Sequence, residues 1–319
     1  MLKWKNKRHL FDPYSHKLPK NCISHAQSPQ AIELSDRIRI FFSARSVDDK
    51  KKYLSHIMYV DYLKDFSKII DICSDSCVEL GETGSYHEHG IFPISIFKDN
   101  DNIYGFITGW SRRYSVSAES AIGIYKTKNQ GKKFEPIFNG PIMSSYKNEP
   151  FLVADPFIYK HDSIYHMFYI FGDKWINKPK YKTPERVYKI AYASSENLFD
   201  WDRRSEFIIK PKLENECQAL PSVIKIKDKF VMVFCYRDVF DFRESKEKSY
   251  KLGYAYSKNL ITWTRDDSLI KISKNNNWDN QMQCYPQFFK LQEKIFLLYN
   301  GNNFGKNGFG IAELEVSDE

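Results

Sequence analysis

Residues 154–172 read ADPFIYKHDSIYHMFYIFG, and this stretch decides the fold of the chain. A proline is followed by an apolar run, a short polar turn and a second run rich in aromatic residues. Aromatic and β-branched residues favour extended backbone, and polar residues between two such runs are typical of a hairpin loop. The stretch therefore predicts two antiparallel strands joined by a tight turn.

The same shape recurs four more times, at residues 25–45, 87–110, 216–237 and 283–302. The anchoring prolines are Pro29, Pro93, Pro156, Pro221 and Pro286. Their separations are 64, 63, 65 and 65 residues. A third strand is predicted after each hairpin, at residues 56–66, 121–134, 188–201, 250–263 and 309–315. Repeats of this length, with three or four strands each, are typical of β-propeller blades.

We therefore predict an all-β chain that folds as a single five-bladed β-propeller domain over residues 1–319, with about 64 residues per blade. The last repeat stops early, so the segment from Lys3 to Phe11 is expected to supply its outer strand and to close the ring. Closure removes the exposed sheet edges that invite aggregation. Residues 176–186 and 238–249 are predicted to be surface excursions.

Composition places the chain among folded proteins, because 42% of its residues are hydrophobic and 16% are aromatic. It holds no apolar run long enough for a transmembrane helix, and its charged start does not read as a signal peptide. The six cysteines form no C-x-x-C pair and are typical of free thiols. We expect a cytoplasmic protein. The net charge of +8 comes from scattered lysines, so no nucleic-acid partner is expected; the oligomeric state is left open.

The segments before the five prolines are predicted to line the channel, since the innermost strand of a blade runs along it. Side chains two apart on a strand share a face. Asp155 lies one residue before its proline, Glu88, Glu216 and Gln281 lie five before theirs, and Asp279 lies seven before. All these offsets are odd, so the five side chains are expected to face the channel together.

Converging carboxylates suit the cleavage of a glycosidic bond. One carboxylic acid protonates the leaving oxygen, and a second carboxylate attacks the sugar or activates water. Glu216 is predicted to be the proton donor, with Asp155 or Glu88 as its ionised partner. The alternative is that these acids are solvated or paired with arginines.

A wider set of polar side chains is predicted to bind the substrate. It comprises His25, Gln27, Arg45, His89, Arg112, Arg237, Asp279, Gln281 and Asn302. The arginines follow the second strands and suit a phosphate or carboxylate on the ligand, although pairing with neighbouring acids is the alternative. No phosphate-binding loop or dinucleotide fingerprint is present, so no cofactor is expected.

Several of these motifs resemble one superfamily. The Asp155-Pro156 hairpin, the Glu216-to-Pro221 strand and the Tyr299–Asn302 ending are similar to those of the five-bladed propellers of glycoside hydrolase families 43, 32 and 130. The resemblance implies a glycosidase or transglycosidase that acts on a carbohydrate or glycoconjugate. It places Asp155 as the modulating aspartate and Glu216 as the proton donor. A calcium ion in the channel is implied by this resemblance alone.

The first repeat departs from that family pattern, because Ser28 stands before Pro29 where those families use an acid. The stretches 25–29, 279–286 and 299–310 more closely resemble uncharacterised bacterial propellers encoded near surface-polysaccharide genes. This resemblance implies a surface glycan or its precursor as the substrate. It also leaves two alternatives open: a non-catalytic glycan-binding propeller, or a scaffold in polysaccharide biosynthesis.

Overall fold

The computed structural model describes residues 2–274 and 277–315 and shows an all-β chain. The strands are β1 (Lys3–Phe11), β2 (Ser24–Glu33), β3 (Ile38–Val47), β4 (Tyr53–Tyr62), β5 (Ile69–Ile72), β6 (Gly90–Asp99), β7 (Asn102–Ser111), β8 (Glu119–Thr127), β9 (Glu135–Pro136), β10 (Val153–His161), β11 (Ile164–Ile176), β12 (Glu185–Ser195), β13 (Asp202–Phe207), β14 (Cys217–Ile226), β15 (Lys229–Arg237), β16 (Lys251–Ser257), β17 (Thr264–Arg265), β18 (Cys284–Leu291), β19 (Lys294–Asn300) and β20 (Phe309–Glu315). Short helical turns lie at Pro13–Ser15, Asp267–Leu269 and Asn302–Gly305. In the described ranges, no helix has the length and apolar character needed to cross a bilayer.

The strands form sheets that follow the order of the sequence. Two sheets run β10-β11-β12-β13 and β14-β15-β16-β17, and a third runs β1-β20-β19-β18. The largest runs β2-β3-β4-β6-β7-β8-β9, with β5 paired to β4. Within it, a single parallel pair between Ser55 and Gly90 joins β4 to β6. The first strand of the chain thus pairs with the last one, antiparallel, from Lys3 opposite Glu315 onward.

All five predicted hairpins are present as antiparallel pairs: β2–β3, β6–β7, β10–β11, β14–β15 and β18–β19. The predicted third strands correspond to β4, β8, β12, β16 and β20. The prediction of an all-β chain is therefore confirmed, and its repeating unit is the hairpin with its added strand.

Each hairpin has a register shift at its anchoring proline. The residue before the proline has a positive φ in four of them: 53° at Ser28, 55° at Asp155, 51° at Leu220 and 54° at Tyr285. Proline lacks an N–H for the ladder, so it fits at a bulge, where pairing is locally interrupted. A bulge also re-aims the side chains beside it, and here it interrupts the alternation of each first strand.

Three buried acids tie the opposite edges of their sheets together. Each acid precedes the first strand of a sheet and pairs with a cation from the strand at the other edge. The pairs are Glu149–Arg203, Glu216–Arg265 and Asp279–Lys7, with N–O distances of 3.1, 2.7 and 3.0 Å. All three carboxylate side chains are 0% exposed. Breaking a buried pair by removing one partner is strongly destabilising, because an uncompensated charge stays behind.

Candidate active site

The first strands of the sheets converge on a cavity of about 380 Å³. The residues immediately before four of the anchoring prolines line it: Phe92, Asp155, Leu220 and Tyr285. Their common position at the bulges explains why side chains from distant parts of the sequence meet there. This volume lies in the range of small-molecule sites.

Asp155 is the one carboxylate among the described residues that line this cavity. It is 6% exposed, and its Oδ2 accepts a hydrogen bond from the backbone N–H of Leu220 at 3.1 Å. Burial raises the pKa of Asp155 to about 7, against the opposing effects of the Leu220 amide and the Arg186 guanidinium. The carboxyl can therefore hold a proton near neutral pH, as a general acid must.

Arginines dominate the charge of the cavity wall, to which Arg45, Arg186, Arg237 and Arg243 all contribute. Arg237 is 3% exposed and lies 3.5 Å from the ring centroid of Phe242. Its Nη2 donates to the hydroxyl of Tyr188 at 3.0 Å. The guanidinium is thus held by a ring, a hydroxyl and the backbone carbonyl of Asp238, and no carboxylate compensates its charge.

The hairpin of β2 and β3 completes the wall. Arg45 Nε donates to Gln27 Oε1 at 2.9 Å, and Gln27 Nε2 donates to the carbonyl of Phe304 at 2.6 Å. Burial, together with the positive charges of Arg45 and Lys306, lowers the pKa of His25 to about 3. The His25 imidazole is therefore neutral at physiological pH and adds no further positive charge.

Comparison with known proteins identifies the family. Residues 74–285 match the N-terminal domain of glycosyl hydrolases family 32. The chain belongs to this family. An uncharacterised protein of Mycobacterium tuberculosis is 28% identical over 297 residues, which cover 92% of this chain and 93% of that protein.

Other relatives of this family 32 protein are more distant. A 1,2-β-oligomannan phosphorylase of a Thermoanaerobacter species is 26% identical over 181 residues, which cover 55% of this chain and 52% of that enzyme. A thermostable family-43 glycoside hydrolase superposes with a TM-score of 0.67 at 13% identity, over 94% of this chain and 93% of that one. At that identity the likeness is one of fold, and it is the fold of the propeller families.

The cavity of this family 32 protein brings together some of the predicted site residues. Those that line it are His25, Gln27, Arg45, Asp155 and Arg237. Those that lie elsewhere are Glu88, His89, Arg112, Glu216, Asp279, Gln281 and Asn302. The cavity is also lined by Trp110, which lies near the end of β7.

Glu216 is held away from the cavity by an ion pair. Its carboxylate accepts hydrogen bonds from Arg265 Nη1 at 2.7 Å and Gln218 Nε2 at 2.8 Å. β14 begins at Cys217, so Glu216 precedes the strand, and the bulge before Pro221 interrupts the alternation on which the odd offset relied. The prediction that Glu216 shares a face with Asp155 is therefore wrong. Glu216 is paired with an arginine, as the alternative prediction for these acids expects.

Glu88, Asp279 and Gln281 also lie outside the cavity, because they too precede the first strand of their hairpins. They lie in the loops that precede β6 and β18, where no strand alternation exists. Glu88 accepts a hydrogen bond from the Gly84 N–H at 3.0 Å, Asp279 binds Lys7, and Gln281 is exposed. Their expected position on a shared channel face is corrected accordingly.

The remaining outlying candidates organise loops. Arg112 Nη1 pairs with Asp48 at 2.6 Å, and the Arg112 N–H donates to His89 Nδ1 at 3.4 Å. Asn302 Oδ1 accepts from the backbone N–H groups of Gln281 and Met282 at 2.8 and 3.0 Å. The contacts of these three side chains are thus to the protein itself, in segments beside the sheets.

Sequence reasoning missed three cavity residues from the segments predicted to be surface excursions. Arg186 lies near the start of β12, and Phe242 and Arg243 come from the 238–249 segment. The prediction of surface excursions is therefore wrong for Arg186, which lies in β12, and for Phe242, which is 5% exposed. The Arg243 side chain is 59% exposed, as a surface segment requires. Phe242, an aromatic residue within a charged loop, is a sequence signal that the loop packs inward.

The donor set of the cavity does not suit the calcium ion that the family resemblance implies. Calcium prefers six to eight oxygen ligands. The described lining offers one carboxylate against four guanidinium groups, which repel a cation. No group of three or more potential metal-ligating side chains occurs within residues 2–274 and 277–315.

Proposed function

We propose that this family 32 protein cleaves or transfers a glycosidic bond in the cavity, with Asp155 as the proton donor. The observation that carries the proposal is the position of Asp155, a buried carboxyl at a bulge, whose pKa of about 7 keeps it partly protonated near neutral pH. Family membership and the similarity to an oligomannan phosphorylase support glycosidase-like chemistry.

In the proposed reaction the Asp155 proton moves to the leaving oxygen as the bond from that oxygen to the anomeric carbon breaks. Hydrolases of this kind use a second carboxyl about 5 to 10 Å away as nucleophile or base. The described cavity wall offers no second carboxylate. The incoming oxygen is therefore supplied by water or by a co-substrate, and not by an aspartate or glutamate of the wall. With water, the proton that the attacking oxygen releases passes through solvent and restores the Asp155 carboxyl.

The proposal includes the finer architecture: five blades in a single domain over residues 1–319, closed into a ring by β1. Two observations support it. The 64-residue spacing of the prolines recurs in five hairpins, and β1 pairs with β20. In such a ring the five bulges surround one axis, which explains why residues at four of them line the same cavity.

A bacterial surface glycan or its precursor remains the predicted substrate, in a cytoplasmic step of polysaccharide biosynthesis. The motifs at residues 25–29 and 299–310 support this proposal. The phosphorylase relative is named for 1,2-β-oligomannan, so β-1,2-linked mannosides are the first compounds to test.

The test is a turnover assay on a panel of oligosaccharides that begins with β-1,2-mannobiose, run with and without inorganic phosphate. We expect a shortened sugar, detected by chromatography, from at least one compound. The Asp155→Asn variant, assayed in parallel, should form product at least about 100-fold more slowly. Product from both proteins at equal rates contradicts the assignment of Asp155.

A non-catalytic glycan-binding protein is the second candidate. The single carboxylate of the described cavity wall and Ser28 in place of the first-repeat acid favour it. In that case calorimetry finds saturable sugar binding, while the same panel yields no product under any condition.

The proton on Asp155 makes both activity and stability depend on pH. If the protonated carboxyl is the active form, kcat/KM falls about tenfold per pH unit above pH 7. The pKa of Asp155 in the folded protein is raised above that of an aspartate in the unfolded chain. Between about pH 4 and pH 7 the folded state therefore binds more protons than the unfolded state. Stability therefore falls as pH rises through that window, by at most about 1.4 kcal/mol per unit.

A pH–rate profile and thermal melts of the wild type and of Asp155→Asn test this dependence. The melting temperature of Asp155→Asn should lack the decrease between about pH 4 and pH 7 that the Asp155 carboxyl causes in the wild type. A wild-type rate that stays constant from about pH 6 to pH 9 contradicts the assignment.

A further inference from the structure

We propose that the cavity binds an oxyanion, a phosphate or carboxylate group, between the guanidinium groups of Arg45, Arg186 and Arg237. The inference rests on the proposed function only in taking the same cavity as the site. It goes beyond that function because it assigns the charge of the ligand and names the residues that recognise it.

The first support is that these three arginines lack acidic partners. Within the described ranges, no Asp or Glu carboxylate lies within ion-pair distance of any of them. Arg45 donates to Gln27, and Arg186 reaches the hydroxyl of Ser117 at 3.4 Å. By contrast, other buried or half-buried arginines outside the cavity, such as Arg39, Arg203 and Arg265, each bind a carboxylate.

The second support is the unfilled hydrogen-bonding capacity of Arg237. Its Nη1 donates to the carbonyl of Asp238 at 2.7 Å and its Nη2 to Tyr188. Its Nε is buried, without a hydrogen-bond acceptor in the described part of the chain. A buried charged group with an unfilled donor is costly, so an anion bound beside this guanidinium stabilises a charge that the protein leaves uncompensated.

The third support is the mutual repulsion of the cations. Burial, and to a smaller extent the neighbouring Arg243, lowers the pKa of Arg45. Arg243 is itself partly neutralised by Glu185 at 3.2 Å. With Asp155 as the one carboxylate of the described wall, the cavity keeps a net positive charge. An anion relieves that repulsion, whereas a neutral sugar leaves it in place.

Tyrosine hydroxyls beside the arginines suit the same ligand. The hydroxyl of Tyr188 lies 2.8 Å from that of Tyr250, and Tyr188 also contacts Arg237. Burial raises the pKa of both tyrosines, so these hydroxyls stay neutral and can donate. The arginine fork and the hydroxyls together present several donors to one group of acceptor oxygens.

Two sources of the oxyanion are distinguishable. Free phosphate would be the co-substrate: a phosphate oxygen bonds to the anomeric carbon as the glycosidic bond breaks, and the Asp155 proton goes to the leaving oxygen. The products are then a glycosyl phosphate and a shortened sugar. Alternatively, the oxyanion belongs to the glycan itself, as a uronate or sugar phosphate.

Isothermal calorimetry with inorganic phosphate, glucuronate, glucose 1-phosphate and neutral glucose tests the inference. We expect at least one anionic compound to bind, and at least tenfold more tightly than glucose. Arg45→Gln and Arg186→Gln should each weaken that binding about tenfold or more, the usual effect of losing a charge-assisted hydrogen bond. Phosphate binding would assign a co-substrate, whereas binding limited to the anionic sugars would assign an acidic glycan.

The matched control is Arg113→Gln, which removes an exposed arginine that pairs with Glu119. It should leave anion binding unchanged. Arg186→Lys keeps the charge and should retain more affinity than Arg186→Gln. Equal binding of anionic and neutral compounds, with no effect of either glutamine variant, overturns the inference.

The result is separable from that of the proposed function. Asp155→Asn should lower turnover by at least about 100-fold. It should leave oxyanion affinity intact or improved, because it removes a negative charge from the wall. Anion binding without turnover of any glycoside would retain the oxyanion site and reject the enzyme. Turnover without anion binding would retain the enzyme and reject the oxyanion site.

Discussion

Asp155→Asn is expected to lower kcat by a factor of about 100 to 10,000, the range that a positioned general acid contributes. Asparagine has the same shape and can still accept the hydrogen bond from the Leu220 N–H, which is 3.1 Å from Oδ2. It has no proton to give to a leaving oxygen. The loss should therefore appear in kcat, with substrate affinity retained, and is measured by steady-state kinetics.

The control for this variant is Asp162→Asn, at an exposed hairpin turn where the side chain is 86% exposed. Its kinetics should match those of the wild type. Above pH 7 Asp155→Asn should also melt at a higher temperature than the wild type, because it removes the ionised form of a buried carboxyl. An Asp155→Asn protein with wild-type kcat on a compound the enzyme turns over would eliminate Asp155 as the acid.

Arg265→Ala is expected to destabilise the fold by about 3 to 5 kcal/mol, because it leaves the Glu216 carboxylate buried and unpaired. The two side chains are 3% and 0% exposed, and their N–O distance is 2.7 Å. Chemical denaturation measures the free energy of unfolding. The exposed variant Arg113→Ala is the control and should change stability by less than about 1 kcal/mol.

Glu216→Gln separates the structural role of this acid from the catalytic role that the sequence resemblance implies. Glutamine removes the charge, and Arg265 keeps a second partner in Asp267 at 3.1 Å. We expect a smaller loss of stability than in Arg265→Ala, and turnover within a few-fold of the wild type at a temperature where the variant is folded. Complete loss of turnover with unchanged stability would restore Glu216 as a catalytic group.

Most of the features that the sequence predicts correctly depend on the five prolines. Their even spacing gives the five hairpins, because a proline at a fixed place in a strand requires a bulge in each repeat. The same bulge directs Asp155 into the cavity. Local chemistry therefore suffices for the hairpin positions and for the acid that sits next to its proline.

The positions of residues farther from the prolines could not be predicted in this way. Glu216 lies just outside β14, and its position depends on Arg265, which is 49 residues away in sequence. The 238–249 loop likewise contacts a loop that is distant in sequence, where Asp241 accepts a hydrogen bond at 2.5 Å from Tyr181, 60 residues away. Such long-range contacts have no signature in the spacing of a single sequence.

The pairing of β1 with β20 bears on the order in which the fold can form. The partner strand of β1 is distant in sequence, and so is the buried Asp279 that Lys7 neutralises, which lies 272 residues away. Such non-local pairs form late, because a long loop must close before they meet. Until they form, the last sheet lacks one edge strand, and that unpaired edge is open to other chains.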